Sequence, residues 1–405
     1  MKLIMNENKL LEVYGSPLYV YDYDILKERC MDMVSFGKSL GDRLGLKVSM
    51  HYSTKANGNL RLLELIKEFG LKIDSMSLLE YNLAKKAGFS NQDILYVCNN
   101  ISTDEMREIG KEDVLMCFDS ISQTESFGKI YNNRDIMIRI NPNSKGVGHS
   151  SKVITTGKET KFGITPYNIS SLKEVCKKYN LNIIGIHLHL GSLFLDDKID
   201  DYISGVRDFL KVVSEYFKNI KIIDLGGGFG VDYQRKKRLS LDLLEDCLYK
   251  VISSFKSELS CLEEIKFEPG RYVVCEAGYI LGTVNSLKRE NDVYWIGTDI
   301  GMNVLLRPSM YDAYHEIEIL SLNKNRITAN ICGNICESCD VLGRGRDVIC
   351  PSIGDVVKVY NAGAYGYSMA SSYTGRLRPA EVLIHGKEVK LIRKKEEISD
   401  VMRHF

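Results

Sequence analysis

The chain has 405 residues, of which 44% are hydrophobic and 26% are charged, and its formal net charge is +1. This length exceeds what one hydrophobic core usually fills, so it predicts two domains. The near-zero charge gives no electrostatic basis for binding nucleic acid or an anionic membrane. No run approaches the roughly 18 apolar residues of a membrane span. We therefore expect a small-molecule partner rather than a polymer or a bilayer.

The N-terminal stretch MKLIMNENKLLEVYG has a short apolar piece before its polar residues, so it does not read as a signal peptide. The eleven cysteines lack the spacing of a secreted scaffold, and we expect reduced thiols and a cytoplasmic location. Cys336 and Cys339 have CxxC spacing, but a structural zinc site needs a second such pair or nearby histidines. Cys332 is close, yet its spacing fits no common zinc pattern, so we predict no metal.

Residues 24–38 are predicted to be helical, and short apolar runs then alternate with helical segments. The predicted strands are KVSMHY, LKIDSM, ILYVC, VLMCFD, DIMIRI, NIIGIHLHL, IKIIDLG and EIKFEPG. The predicted helices between them include NLRLLELIKEFG, SLLEYNLAKKAGF, NISSLKEVCKKYN and KIDDYISGVRDFLKVVSEYF. Strands that alternate with helices in this way over about 250 residues predict a parallel (β/α)8 TIM barrel, which we place at residues 24–276.

From residue 277 onward the pattern is β-rich, with turns and few long helices. Its predicted strands are YILGTVNSLKR, DVYWIGTDI, HEIEILSL, RITANICG, DVVKVYNAG and AEVLIHG. The early run PLYVYD is predicted to join them. We therefore predict a second, β-rich domain of barrel or sandwich type. It is formed by both chain ends, residues 1–23 and 277–405, with the α/β barrel inserted between them.

Residues with useful chemistry stand at the ends of several predicted barrel strands, which is where barrel enzymes place their active sites. They lie in the stretches HYSTKANGN, IHLHLGS, DLGGGFG and FEPGRY. Consecutive glycines let backbone N–H groups close around a phosphate, and Ser192 can add a hydroxyl donor. Lys55 can form a Schiff base, His189 can lie flat against an aromatic ring, and a carboxylate can keep a ring nitrogen protonated.

Together these residue types predict a pyridoxal 5'-phosphate site. Each feature has an alternative when it is considered alone: a glycine-rich turn can serve packing, and a histidine can be a core residue with a backbone partner. His187 and His189 could also form a His-x-His metal site. We rank that alternative lower because no carboxylate is placed nearby in the sequence to complete it, and we predict no metal.

The sequence resembles the barrel-type pyridoxal phosphate decarboxylases and, within them, the diaminopimelate decarboxylase family. The resemblance covers nearly the whole chain. It is carried by YGSPLYVYD, HYSTKANGN, RINPN followed by TTGKETKFGI, IHLHLGS, LGGGFG, EPGRY, RPSMY, CESCD, AGAYGYSMASSY and LIRKKEE. It implies decarboxylation of meso-2,6-diaminopimelate to L-lysine and CO2, the last step of lysine biosynthesis. It also implies a homodimer with shared active sites.

The resemblance further implies a role for each site residue. The catalytic residues would be Lys55, as the Schiff-base lysine, and Cys336, as the proton donor. The cofactor would be bound by Lys55, His189, Ser192, Gly227, Gly228, Glu268, Gly270, Arg271 and Tyr365. The substrate would be bound by Arg271, Arg307, Tyr311, Glu337 and Tyr365. In that family the counterparts of Cys336 and Glu337 enter the site from the partner subunit.

Residue chemistry is consistent with several of these roles. Arg271 and Arg307 carry forked donors that suit a carboxylate. Arg307 and Tyr311 share a face if they lie on a helix, and Pro308 fits the first turn of one. A cysteine that donates a proton needs an accessible thiol, as Cys336 would.

The chain departs from the family pattern at Leu78–Leu79, Cys98–Asn100, Leu193 and Cys339. These departures put the substrate in question more than the reaction. The alternative function is a related barrel-type decarboxylase that acts on another amino acid with a charged distal end. A barrel-type racemase places an arginine at the ring nitrogen, where this chain has Glu268. A non-catalytic cofactor-binding barrel lacks the β domain.

Overall fold

The computed structural model describes residues 6–144, 146–148, 155–157, 160–403 and 405. Two parts of the predicted motifs lie outside these residues: the first five positions of the N-terminal stretch, and positions 158–159 of TTGKETKFGI. The chain divides into two compact units. The barrel unit comprises Cys30–Val231 and Arg238–Tyr272, and the β unit comprises Met1–Arg29, Asp232–Lys237 and Val273–Phe405.

The chain begins with helix α1 (Glu7–Tyr14), strand β1 (Leu18–Asp22) and helix α2 (Tyr23–Leu44). Asn6 caps α1 because its side chain accepts a hydrogen bond from the backbone N–H of Lys9 at 2.9 Å. Gly15 ends the helix with a positive φ of 88°. Strand β1 is buried along most of its length, as a strand inside a sheet requires.

The described residues of the barrel unit form ten strands, eight of which alternate with helices. In chain order the strands are β2 (Lys47–Ser53), β3 (Lys72–Ser75), β4 (Ile94–Val97), β5 (Leu115–Phe118), β6 (Asp135–Arg139), β7 (Val147–Gly148), β8 (Asn182–His187), β9 (Gly191–Ser192), β10 (Ile222–Asp224) and β11 (Glu264–Phe267). All except the short pair β7 and β9 close into a parallel eight-stranded barrel. These eight strands coincide with the predicted runs, so the TIM barrel is confirmed.

The helices of the barrel unit follow the barrel strands. They are α3 (Leu60–Glu68), α4 (Leu78–Lys86), α5 (Thr103–Gly110), α6 (Ile121–Ile130), α7 (Ile169–Lys178), α8 (Ile199–Tyr216), α9 (Leu241–Ser253) and the short α10 (Arg271–Val274). Many begin at a serine or asparagine whose side chain accepts a hydrogen bond from the first turn, as Ser77 does for Glu80. Each such cap marks the residue at which the loop after a barrel strand ends and the helix begins.

Besides α1 and β1, the described residues of the β unit form eight further strands and two further short helices. They are β12 (Gly278–Glu290), β13 (Val293–Thr298), α11 (Arg307–Tyr311), β14 (Ile317–Leu320), β15 (Arg326–Cys332), β16 (Val341–Ile349), β17 (Val356–Val359), β18 (Ala380–His385), β19 (Glu388–Arg393) and α12 (Ile398–Met402). With β1 they form a nine-stranded mixed sheet with the path β16-β15-β13-β12-β1-β18-β19, and β17 joins β12 to β14. The predicted β-rich domain is therefore confirmed.

Strand β1 lies between β12, to which it is antiparallel, and β18, to which it is parallel. The N-terminal strand therefore belongs to the same sheet as the C-terminal half of the chain, as predicted from PLYVYD. The sequence did not predict β16 or β19. Strand β16 carries two glycines and three charged residues, a composition typical of loops, and it is held at the sheet edge by antiparallel pairing with β15.

No helix among the described residues is long and apolar enough to cross a membrane.

Replacing Leu10 in α1 with alanine tests how firmly the N-terminal helix is packed. Leu10 is fully buried in a cluster of the β unit that includes Val20 and Leu281. We expect Leu10→Ala to lower the free energy of unfolding by about 2–5 kcal/mol, because it leaves a cavity in that cluster. The control Val13→Ala removes a half-exposed side chain from the same helix and should change stability by less than about 0.5 kcal/mol. Calorimetric unfolding measures both, and equal stability of the two variants would contradict this packing.

Candidate active site

Buried polar side chains gather at the carboxyl ends of the barrel strands. Asp74 lies on β3, Arg139 and His187 are the last residues of β6 and β8, Asp224 ends β10, and Glu268 directly follows β11. Each is at most 6% exposed. Burial of so many ionisable groups is costly unless they are paired or serve a function, so this face of the barrel is the candidate active site.

Lys55 lies in a short 3-10 turn, Thr54–Ala56, directly after β2. Its Nζ is 3.7 Å from Oδ2 of Asp74, and its side chain is only about one-third exposed, at 35%. The turn is held from below because the hydroxyl of Thr54 donates a hydrogen bond to the Asp74 carbonyl at 2.9 Å. The lysine is therefore directed to the barrel end rather than into solvent.

The carboxyl group of Asp74 is buried beside two charged neighbours. Burial and the Glu268 carboxylate raise the pKa of Asp74 to about 8, although Lys55 acts in the opposite direction. A carboxyl group with this pKa can hold or release a proton near neutral pH, within reach of the Lys55 amine.

The glycine-rich turn after β10 is fixed by two hydrogen bonds to side chains. The N–H of Gly226 donates to Oδ1 of Asp224 at 2.8 Å, and the N–H of Gly227 donates to Nδ1 of His189 at 3.1 Å. A Cβ on Gly227 would overlap the carbonyl oxygen of Glu268. Only glycine fits there, and without side chains an anion can approach the backbone of this turn closely, so we call the turn the cradle.

His189 is half-buried, and its Nδ1 accepts the hydrogen bond from Gly227, so its ring proton lies on Nε2. Burial and the cations Lys55 and Arg139 lower the pKa of His189 well below its ordinary value. Its backbone is also tied, because the Thr155 hydroxyl donates to the His189 carbonyl at 2.7 Å. The result is a neutral, oriented imidazole that can stack on a flat ligand.

Glu268 has one oxygen held and one directed away from any partner. His187 Nε2 lies 3.3 Å from Oε2, whereas Oε1 has no hydrogen-bond partner within the part of the chain that the structure describes. Burial alone would raise the pKa of Glu268, but His187 and Lys55 outweigh burial and hold this pKa below its ordinary value. An ionised carboxylate with one available oxygen suits a protonated ring nitrogen.

Arg271 and Ser192 lie beside this cradle. Nη2 of Arg271, at the start of α10, donates to the Ser192 hydroxyl at 3.2 Å. At Gly270, a Cβ would press against the Cβ atoms of Ala56 and Ser53 at 3.1 Å. The loop before α10 therefore packs tightly against the turn that carries Lys55.

Other predicted site residues belong to the β unit. Arg307 and Tyr311 share the short helix α11, with Pro308 in its first turn, as predicted. Arg307 is 1% exposed, and its Nη1 donates to the Tyr233 hydroxyl at 2.8 Å. Tyr365 adopts a positive φ of 56°, a strained conformation for a bulky residue and one that is frequent at functional sites.

The CESCD stretch forms an exposed loop of the β unit. Cys336 and Glu337 are both exposed, and the Tyr373 hydroxyl donates a hydrogen bond to Glu337. The buried carboxylate of Asp340 fixes the loop by accepting from the N–H groups of Met302 at 2.6 Å and Ile335 at 2.7 Å. The thiol and the acid are thus presented outward on an ordered loop.

The structure brings part of the predicted set together on the barrel face. This part consists of Lys55, His189, Ser192, Gly227, Gly228, Glu268, Gly270 and Arg271. The remaining residues, which belong to the β unit, are Arg307, Tyr311, Cys336, Glu337 and Tyr365.

Sequence reasoning assigned no role to Asp74, Arg139 or Asp224, and it considered His187 only for a lower-ranked His-x-His metal site. Their common signal is a polar residue at the end of an otherwise apolar strand. The argument against a metal at the histidines was wrong in one respect, because two carboxylates do lie near His187. Donor atoms of His187, Asp224 and Glu268 all lie within 4.8 Å of one another.

The observed donors fit pyridoxal phosphate. The cradle at Gly227 can admit a phosphate, the unpartnered Oε1 atom of Glu268 can accept from a ring nitrogen, and the neutral His189 ring can offer a flat face. Lys55 provides the amine for a Schiff base. The fold and the site therefore define a class: a barrel-type enzyme that uses pyridoxal phosphate.

Comparison with known proteins identifies the family. A family model described as "Pyridoxal-dependent decarboxylase, pyridoxal binding domain" matches residues 32–275. The diaminopimelate decarboxylase of Methanothermobacter thermautotrophicus is 33% identical over 411 residues, which cover 98% of this chain and 92% of that protein. The diaminopimelate decarboxylase of Aquifex aeolicus is 35% identical over 403 residues, which cover 96% and 91%. The chain belongs to the diaminopimelate decarboxylase family of pyridoxal-dependent decarboxylases.

Comparison with a solved structure extends this similarity from the sequence to the fold. The crystal structure of diaminopimelate decarboxylase from M. jannaschii in co-complex with L-lysine is 30% identical, with a TM-score of 0.88. The structural match covers 98% of this chain and 94% of the chain in that crystal structure. The fold likeness therefore includes the barrel and the β-rich part.

Gly227→Ala tests the cradle. The added methyl group would collide with the Glu268 carbonyl, and overpacking of this kind typically costs about 1–3 kcal/mol. Because the turn must shift to relieve the collision, we expect cofactor affinity to fall roughly 10- to 100-fold. The control Gly345→Ala places a methyl group in open space in β16 and should leave cofactor affinity unchanged. Absorbance titration of the apoprotein with pyridoxal phosphate measures both. Undiminished affinity in Gly227→Ala would show that the turn is not the cradle.

Proposed function

We propose that this chain decarboxylates meso-2,6-diaminopimelate to L-lysine and CO2, the last step of lysine biosynthesis. The observation that carries the proposal is the buried Glu268 carboxylate, with one oxygen held by His187 and the other available. A carboxylate at the ring nitrogen favours full use of the ring as an electron acceptor, which a racemase with an arginine there does not need. Family membership and the relatives' activity support the same reaction.

Pyridoxal phosphate, when bound, supplies a protonated pyridine ring that accepts the electrons of the bond between Cα and its carboxylate. In this proposal the Lys55 amine would hold the cofactor between turnovers. Ser192, Gly227, Gly228, Gly270 and Arg271 bind the phosphate. His189 covers the ring face and excludes water from it, and Glu268 remains ionised at the ring nitrogen.

Asp74 has a part in the proton balance around Lys55. Its carboxyl group lies 3.7 Å from the amine and has a pKa of about 8. It can therefore accept a proton when the lysine amine needs to be neutral and return it when the amine is set free. This role would follow from proximity and pKa together.

The substrate end of the site would be formed by Arg271, Arg307, Tyr311, Glu337 and Tyr365. Arg307 offers its guanidinium to a distal carboxylate, and Glu337 offers its carboxylate to a distal ammonium group. A distal end with both charges is what diaminopimelate has, whereas a simple diamino acid has no need for the arginine. This pairing is the reason to prefer diaminopimelate over the substrates of related decarboxylases.

The proton donor to Cα would be Cys336, supplied by the partner subunit of a homodimer together with Glu337. The exposure of both residues on the ordered CESCD loop supports a role outside their own fold. We also place the enzyme in the cytoplasm, where thiols remain reduced, because its eleven cysteines lack the spacing of a secreted scaffold.

The substrate assignment is tested by a product assay. Purified protein with pyridoxal phosphate is given meso-diaminopimelate, lysine, ornithine or arginine in separate reactions. We expect lysine and CO2 from diaminopimelate and no CO2 from the other three, and Lys55→Ala should be inactive with all of them. Faster CO2 release from another amino acid would replace the substrate and favour the related-decarboxylase alternative.

The shared site is tested by mixing inactive subunits. Lys55→Ala and Cys336→Ala homodimers should each be inactive. After subunit exchange, half of the dimers are mixed and each has one intact site, so about one quarter of wild-type activity should return. The control mixture of Lys55→Ala with Glu268→Ala should stay inactive, because both changes are on the barrel. Without any recovery in the first mixture, the shared site is wrong.

A further inference from the structure

We infer that Asp224 and His187 are positioning residues that hold the Glu268 carboxylate through a hydrogen-bond chain, in which Oδ2–H of Asp224 donates to Nδ1 of His187 and Nε2–H of His187 donates to Glu268. The inference deepens the proposed function and rests on it, because it assumes that Glu268 meets the cofactor's ring nitrogen. It gives these two residues a role in the reaction that the stretches IHLHLGS and DLGGGFG do not indicate by themselves.

The backbone places the three residues next to one another. Asp224 on β10 is the register partner of His187 on β8 in the parallel barrel, so their side chains leave adjacent strands at the same level. Glu268 follows β11, the other neighbour of β10, and its N–H donates to the Gly226 carbonyl at 2.8 Å. One nitrogen or oxygen atom from each of the three side chains lies within 4.8 Å of the other two, and the residues are 0–3% exposed.

The polarity of the chain follows from what each atom already does. Glu268 is ionised and can only accept, so the His187 Nε2 atom at 3.3 Å must carry the proton. Nδ1 of His187 is then an acceptor. This Nδ1 and Oδ2 of Asp224 are buried, and neither has a hydrogen-bond partner among the described residues. A proton on Oδ2 makes the two atoms complementary as hydrogen-bond donor and acceptor.

The charges around the chain are consistent with a protonated Asp224. Burial and Glu268, with a smaller contribution from Asp74, raise the pKa of Asp224 well above its ordinary value. Lys266 acts in the opposite direction, but its Nζ is already 3.5 Å from Glu264 and 3.2 Å from His51.

The other groups that face the hydrogen-bond chain keep His187 and Tyr202 neutral. Burial, Arg139 and Lys55 lower the pKa of His187, although Glu268 raises it, so the imidazole is neutral. Tyr202 also faces Asp224, and burial with this carboxyl raises the pKa of the phenol, which keeps it neutral as well.

Asp224 also acts on the second cofactor contact. Its Oδ1 accepts from Gly226, and the next residue, Gly227, donates to Nδ1 of His189. One carboxyl group therefore supports both the acceptor for the ring nitrogen and the histidine that covers the ring face. Its removal should disturb both contacts at once.

Substitutions at Asp224 separate a neutral hydrogen-bonding role from a charged or purely structural one. Asparagine keeps the acceptor for Gly226 and supplies an N–H for His187, so Asp224→Asn should keep kcat within about 3-fold of wild type. Asp224→Ala leaves buried partners unsatisfied, and kcat should fall roughly 10- to 100-fold with KM little changed. If asparagine is as damaging as alanine, the protonated-acid chain is wrong.

A substrate-free readout distinguishes this inference from the proposed function. The pH dependence of the NMR chemical shift of the bound cofactor's isotopically labelled ring nitrogen reports how firmly that nitrogen keeps its proton. A poorly held Glu268 lets that proton leave at lower pH, so the midpoint should shift downward in Asp224→Ala and stay at the wild-type value in Asp224→Asn. An unshifted Asp224→Ala profile overturns the inference. A failed diaminopimelate assay with these shifts intact overturns only the substrate.

His187 provides the same test from the middle of the chain, which keeps it decisive if Asp224→Ala does not fold. His187→Gln retains an N–H for Glu268 and should shift the midpoint less than His187→Leu does. The matched control is His51→Gln, a change at another buried barrel histidine, which should lower thermal stability without moving the midpoint. Equal profiles for the two His187 variants, or a shifted control, would contradict the chain.

Discussion

An ionised carboxylate buried inside a protein is unfavourable unless other groups hold it, and the site depends on how the barrel holds Glu268. An unpaired buried ion costs several kcal/mol, so its neighbours must supply hydrogen bonds or charge. His187 binds one oxygen, and Lys55 contributes a positive charge from the adjacent strand end. The other oxygen has no partner among the described residues, and in the proposed function it accepts from the ring nitrogen.

The parallel barrel makes this arrangement possible because it brings strand ends together that are far apart in the chain. Lys55, Asp74, His187, Asp224 and Glu268 each belong to a different strand or to the turn after it. Their mutual effects appear in their protonation: Asp74 and Asp224 have raised pKa values, whereas the pKa of Glu268 is lowered. The three acids thus differ in pKa because each has different neighbours, and only Glu268 needs to be ionised.

The β unit contributes a different kind of residue. Arg307 is buried and fixed by Tyr233, whereas Cys336 and Glu337 are exposed on a loop that Asp340 orders. A rigid arginine and an outward-facing thiol and acid suit a site that must recognise both charges at the far end of an amino acid. The departures from the family pattern leave the cofactor residues in place, so they bear on the choice of substrate rather than on the reaction.

The sequence by itself determined the eight-stranded barrel and the β-rich unit built from both chain ends, and it predicted cofactor residues around Lys55, His189 and Glu268. It could do so because strand periodicity and strand-end motifs are local, and because the family resemblance is carried by short stretches. It missed β16, whose glycines and charges resemble a loop until β15 pairs with it. The proximity of Asp224 and His187, the raised pKa of Asp74 and the tautomer of His189 were decided only by the tertiary structure, since protonation and hydrogen bonding depend on neighbours that barrel closure brings together.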